Sequence, residues 1–248
     1  MCGRYSLATT PAQLRERFAV GDAAPTQPRF NIAPGSRVIA VNTDRDGTPR
    51  GELLRWGLVP AWAKDPSVGF KMINARAETL SERPAYRAPF ARMRCLVPAD
   101  GFYEWQAREG APKQPFHITC ADHRLFAFAG LWSVWHRGEE DELRTLTIIT
   151  TAANPLMATV HARMPVILDR DAEALWLDPA ATPAALRELL HGLSAEDTAL
   201  RPVGTAVNNA RFDGPQCLAD PLPAVPVDTP AVTPAGTPPD QGSLFKIG

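Results

Sequence analysis

No stretch of the 248-residue chain approaches the roughly 18 uninterrupted apolar residues of a membrane-crossing helix. The N-terminus lacks a basic region followed by an apolar one, so no secretory signal is expected and the cytoplasm is the expected location. Cysteine is scarce: Cys2, Cys95, Cys120 and Cys217 lie far apart, with no C-x-x-C pair. That argues against a disulfide framework or a zinc site and fits a reducing compartment. Charge of one sign is also missing. The formal net charge is −1, so affinity for a polyanion has to come from a local basic groove rather than from a global field. There is no internal repeat and no regular βαβ alternation, which argues against a doubly wound sheet.

Apolar residues make up 45% and charged residues 21%, ordinary values for a globular chain long enough to bury a core. Apolar, β-rich runs at Arg37–Asn42, Leu53–Leu58, Leu125–Trp132 and Leu143–Thr151 read as strands. Thr10-Pro11-Ala12-Gln13 reads as a capping box opening a helix with Leu14 and Phe18 on one face. Thr182-Pro183 opens a similar helix carrying Leu186, Leu189 and Leu190, and Asp169 is placed to cap one containing Leu175 and Trp176. The expected fold is α+β, with mixed, largely antiparallel sheets, over residues 1–212. From residue 213 the texture changes. Residues 215–239 hold eight prolines with few charges or aromatics, an expected extended linker that cannot bury enough surface to order itself.

Four segments hold residues with chemistry. Loss of Met1 would leave Cys2 with an α-amine and a β-thiol on one residue. Such an amine titrates at about 7.7–8.0, so part of it is neutral at cellular pH and condenses with an aldehyde to an imine. The adjacent thiol can then add to the imine carbon and close a five-membered thiazolidine, at an effective molarity of about 10⁵ M or more. Asn74 and Arg76 sit where an apolar run enters a polar turn. Asn74 both donates and accepts, and Arg76 offers a fork for phosphate, although an ordinary capping turn reads the same way. Glu104 lies among aromatics, where desolvation favours its protonated form and suits acid–base work; an exposed edge-strand glutamate is the alternative. His161 can move protons near neutral pH, or be structural. His117, Cys120 and His123 form the nearest thing to a metal cluster, but on a strand Cys120 points away from the two histidines, and no metal or other cofactor is expected.

Six ordered blocks carry a family resemblance. They are Met1-Cys2-Gly3-Arg4-Tyr5, Phe30-Asn31-Ile32-Ala33-Pro34, Leu54 to Trp62 (LRWGLVPAW), Asn74-Ala75-Arg76-Ala77-Glu78, Gly101 to Trp105 (GFYEW) and His161-Ala162-Arg163-Met164-Pro165. Together they resemble the SOS-response-associated peptidase (SRAP) family over roughly residues 2–212. The resemblance implies a distorted barrel-like core flanked by helices, and a monomeric sensor of abasic sites in single-stranded DNA. It implies that Cys2, bared by loss of Met1, forms a thiazolidine with the ring-opened sugar, a covalent DNA–protein crosslink that shields the lesion from strand cleavage. Asn74 is then expected to position the amine, Glu104 to handle its protons and assist reversal, and His161 to promote opening of the sugar ring. Arg4, Arg76, Arg163 and Thr150 are expected phosphate contacts, and Trp56 and Trp62 candidate base-stacking surfaces. A nucleoid-associated cytoplasmic location and peptidase action limited to self-removal of Met1 go with this reading.

The tail ends in Gln241-Gly242-Ser243-Leu244-Phe245, similar to the Q-x-S/D-L-F pentapeptide that binds the bacterial sliding clamp. Gln241 would anchor and Leu244 and Phe245 would fill a pocket, with the linker raising the local concentration of the domain at forks. Two other functions fit parts of the sequence. Glutamine-dependent amidotransferases also begin Met-Cys-Gly, with Cys2 attacking an amide. A clamp-tethered adaptor that binds DNA without covalent chemistry is the other.

Overall fold

The computed structural model describes residues 2–18, 20, 27–44 and 47–221. Thirteen strands and four helices follow in chain order. The first half holds β1 (Tyr5–Leu7), α1 (Pro11–Phe18), β2 (Arg29–Ile32), β3 (Arg37–Thr43), β4 (Pro49–Trp56), β5 (Asn74–Arg76), α2 (Pro84–Arg92) and β6 (Arg94–Ala99). Then come β7 (Gly101–Arg108), β8 (Ala111–Cys120), β9 (Phe126–Trp135), β10 (Leu143–Ala152), β11 (Arg163–Pro165) and β12 (Ile167–Leu168). The described chain closes with α3 (Arg170–Leu177), α4 (Pro183–Glu188) and β13 (Thr198–Pro202). None of the described helices is long and apolar enough to cross a membrane.

Strands β4, β3, β6, β9 and β10 pair in that order, and β10 returns to β4 to close a five-stranded barrel. The closing pair β10–β4 is parallel, as is β10–β5; the remaining pairs are antiparallel. The α+β class with a distorted barrel-like core is therefore correct. Closure explains the composition of β9: Phe126-Ala127-Phe128-Ala129-Gly130-Leu131 is buried throughout, because both of its faces are covered. A second sheet, ordered β13-β8-β7-β1-β2, lies against the barrel. The seam is aromatic. Tyr5 of β1 meets Trp56 edge-on at 5.4 Å and Phe128 at 5.7 Å, and Phe102 of β7 meets Phe128 at 6.1 Å.

The helix signals match closely. Gln13 N–H donates to Thr10 Oγ1, Thr10 N–H donates to Gln13 Oε1, and Asp169 accepts from Ala172 N–H. Helix α2 was not expected, because Pro89 interrupts its pattern; Tyr86 and Phe90 nevertheless bury one face. Two helix ends converge on one buried cation. Arg94 donates to the carbonyls of Phe90 and Ala91 at the end of α2, and to those of Trp176 and Asp178 at the end of α3. Carbonyls at both C-termini that have no intrahelical partner are thus satisfied by one guanidinium. Pro215–Leu218 forms a 3-10 turn with Cys217 buried against Tyr103, Val203 and Val207, so the apolar cysteine side chain outweighs the proline there. Gln241, Leu244 and Phe245 lie outside the described residues.

Strand β1 is held from behind by a buried polar chain. Ser6 Oγ lies 2.6 Å from Asp100 Oδ1 and 2.9 Å from His117 Nε2. The single hydroxyl proton goes to the carboxylate, so His117 donates through Nε2. Burial, helped by the charges of Arg201 and His123, lowers His117 to about 4. Its folded value then lies below the unfolded one of about 6.5, so the unfolded state takes up the extra proton first, and stability falls as pH drops from 6.5 towards 4.

Two outcomes are expected in urea titrations. Arg94→Met leaves four carbonyls without a donor and lowers stability by about 3 kcal/mol or more. Between pH 7 and pH 4 the wild type loses stability, and His117→Asn flattens that limb; equal slopes for the two proteins would contradict the assignment.

Candidate active site

Cys2 reaches the interior because β1 runs antiparallel to β7, with Tyr5 opposite Phe102 and Tyr103 N–H donating to Arg4 O at 2.9 Å. Followed outward, this register brings the start of the chain alongside Glu104 and Trp105. Cys2 is wholly buried. Burial pushes its thiol far up, and the neighbouring Glu104 carboxylate pushes in the same direction, against a backbone N–H from Arg4. Glu104 itself is only 4% exposed, so the edge-strand reading is set aside.

The other residues lie on β5, β10 and β11. Asn74 opens β5 beside Ile148, and its Nδ2 donates to Ile73 O at 3.1 Å. Its Oδ1 is buried without a hydrogen-bond partner among the described residues. Arg76 is exposed opposite Thr150. Arg163 forks onto Glu78 (2.6 and 3.0 Å) and donates to Thr150 O at 2.6 Å, and this guanidinium holds the Glu78 carboxyl below its ordinary range. His161 Nδ1 lies 3.0 Å from Arg163 N and 3.2 Å from Arg163 O.

The two groups are tied together at two points. Trp56 packs on Tyr5 and donates through Nε1 to Ile73 O at 2.9 Å, next to Asn74. Gln106 of β7 donates to Thr159 O at 2.9 Å, in the turn before His161. Two expected contacts are corrected. Trp56 is 1% exposed and its ring is spent inside the seam, so it offers no base-stacking surface. Thr150 is fully buried, 3.4 Å from Ala75 O, and serves to hold Arg163 rather than a phosphate. Trp62, by contrast, is 68% exposed. Phe70, flanked by Gly69 and Lys71, is a second exposed aromatic, with the Arg55 guanidinium 5.8 Å from its ring centre. An aromatic in an otherwise polar turn was its signal. His117 Nε2 lies 2.9 Å from Ser6 Oγ, and His123 Nδ1 lies 3.3 Å from Thr119 Oγ1.

The family model described as SOS response associated peptidase (SRAP) matches residues 1–210. The abasic site processing protein YoqW of Bacillus subtilis is 42% identical over 222 residues, covering 88% of this chain and 99% of the relative. The abasic site processing protein HMCES of Gallus gallus is 36% identical over 263 residues, covering 88% and 77%. Among solved structures, a protein from Bacteroides thetaiotaomicron superposes with a TM-score of 0.75 at 26% identity, covering 89% of this chain and all of that one. A phage-related protein from Bordetella bronchiseptica gives 0.67 at 32% identity, covering 82% and 94%. The chain belongs to the SOS response associated peptidase family.

Proposed function

We propose that this protein processes abasic sites in single-stranded DNA by capturing them covalently on Cys2. One observation carries the reading: a cysteine one residue from the start of the chain is buried beside the Glu104 carboxylate, while Asn74 keeps a buried acceptor oxygen without a partner. Removal of Met1, by the protein itself or by an aminopeptidase, converts the Cys2 peptide nitrogen into an amine. The open-chain sugar of an abasic site presents an aldehyde. The amine adds to that carbon, and water leaves to give an imine. The thiol then adds across the C=N bond: sulfur bonds to carbon, the nitrogen takes the proton, and a thiazolidine results. Glu104 shuttles protons to and from the amine in both directions, Asn74 Oδ1 accepts an amine hydrogen, and His161 donates from Nε2 to the ring oxygen as the sugar opens.

The strand is held by charge and stacking. Arg4, Arg76 and Arg163 contact phosphates, with Arg163 exchanging Glu78 for the backbone, and Trp62 and Phe70 offer faces for bases. The crosslink shields the lesion from strand cleavage, and the action is placed at the nucleoid in the cytoplasm. Gln241, Leu244 and Phe245 tether the domain to the sliding clamp.

Incubation with abasic single-stranded DNA followed by a denaturing gel is expected to show a shifted covalent band. Cys2→Ala abolishes it, and Glu104→Gln slows its formation by about 100-fold. A band that persists in Cys2→Ala would sink the reading, and labelling of Cys2 by a glutamine analogue without any DNA band would favour the amidotransferase class. For the tail, a sliding-clamp pull-down should retain the wild type and lose a Leu244→Ala, Phe245→Ala variant. Equal retention of both would remove the clamp.

A further inference from the structure

Two residues beyond Cys2, Arg4 is held rather than loose. Its Nη1 donates both to Asn31 Oδ1 at 2.8 Å and to Val207 O at 2.9 Å, and its guanidinium lies 6.0 Å from the Trp105 ring centre. Asn31, on β2, is buried and works as a hub. Its Nδ2 faces three carbonyls, those of Phe212 at 2.7 Å, Asn209 at 3.0 Å and Val207 at 3.3 Å. The backbone N–H groups of Phe30 and Asn31 both donate to Asp213 Oδ1, and Arg29 pairs with the other oxygen of that carboxylate. Trp105, on the far side of Arg4, donates to Asn208 Oδ1 at 2.7 Å. Residues 203–218 thus form a strap, with 3-10 turns at Thr205–Asn208 and Pro215–Leu218, laid across β2 and β7 beside the start of the chain.

We propose that Asn31 is a positioning residue for DNA binding: together with the Val207 carbonyl it fixes one nitrogen of Arg4 and leaves the rest of the guanidinium preset for a phosphate. Nε and Nη2 of Arg4 meet no hydrogen-bond acceptor among the described residues. The position demands an amide. One side chain must accept from a cation and donate two hydrogens to carbonyls at once, which the Asn amide does, whereas Ser has a single hydrogen to give, Asp has none and Ala has no polar group. Both acceptors on Arg4 are neutral, so its charge remains for the DNA. A free arginine loses rotamer entropy when it grips a ligand, and one held in advance has already lost it. The inference rests on the proposed role of Arg4 as a phosphate contact.

The test uses full-length protein and single-stranded DNA, undamaged for affinity and abasic for the rate of crosslinking at saturating DNA. Arg4→Ala is expected to weaken binding and to reduce the slope of log K against log salt by about 0.7, one phosphate contact on a single strand. Asn31→Ala is expected to raise Kd about tenfold while keeping the salt slope, because Arg4 keeps its charge, and to leave the saturating crosslinking rate within twofold. In the Arg4→Ala background, Asn31→Ala should add less than a further twofold. Additive losses, or unchanged binding in Asn31→Ala, would overturn the inference. Should Asn31→Ala fail to fold, nitrogen-15 NMR of the arginine side chains in free wild-type protein decides. Hindered rotation of the Arg4 guanidinium supports the assignment and free rotation overturns it. If wild type binds no single-stranded DNA, the proposed function itself fails. If Arg4→Ala weakens binding and Asn31→Ala does not, only the role of Asn31 fails.

Discussion

Tyr5 packs between Trp56 and Phe128, and that contact decides where the first residues of the chain go. Chain termini fray by default, and a strand of three residues has too few ladder bonds to stop it. Here Cys2, Tyr5, Ser6 and Leu7 are all buried, so the terminus is anchored by side chains more than by its backbone. The anchoring has a cost: the Tyr5 hydroxyl is buried without a hydrogen-bond partner among the described residues, and burial drives its ionisation far above the ordinary phenol range. The same contact sets Trp56, whose indole N–H reaches Ile73 O beside Asn74. One aromatic packing interaction therefore registers β1 against β5, and with them the two halves of the candidate site.

The state of Cys2 bears on which chemistry this site suits. A cysteine that attacks an amide directly works as a thiolate, normally beside a cation or a helix N-terminus that lowers its pKa. Cys2 has the opposite setting, since burial and a neighbouring carboxylate both keep its proton on. An amine-first route suits a protonated thiol. The amine makes the first bond, and when sulfur later adds to the imine, its proton is the one the nitrogen needs. A protonated thiol beside a carboxylate is the setting that supports the proposed aldehyde trap.

What was legible in the sequence was local. The Thr10–Gln13 box, the Asp169 cap and the long apolar runs of β3, β9 and β10 announce themselves within a few residues. The errors arose where long-range packing decides. Trp56 and Trp62 sit in one motif six residues apart, yet one fills the seam and the other faces solvent; composition around them does not say which. Thr150 reads as a polar strand residue and is buried by β5 and β11 on either side of it. Helix α2 is obscured by Pro89, although Arg94 supplies the C-terminal capping that makes it worthwhile. The role of Asn31 is not legible from its motif, because its partners lie near residue 210, about 180 positions away.

The three arginines proposed as phosphate contacts differ in how much of their charge is left uncompensated in a chain of net charge −1. Arg163 is oriented by a carboxylate, so its charge is partly cancelled by Glu78. Arg76 is exposed, and full hydration weakens what its charge offers. Arg4 is half-buried and held by an amide and a carbonyl, which fix geometry without neutralising it; the burial lowers its pKa, yet a guanidinium stays charged at any physiological pH. A charge that is desolvated, oriented and uncompensated acts on a nearby anion through a lower effective dielectric than an exposed one. Neutral acceptors around Arg4 therefore leave an uncompensated positive charge two residues from Cys2.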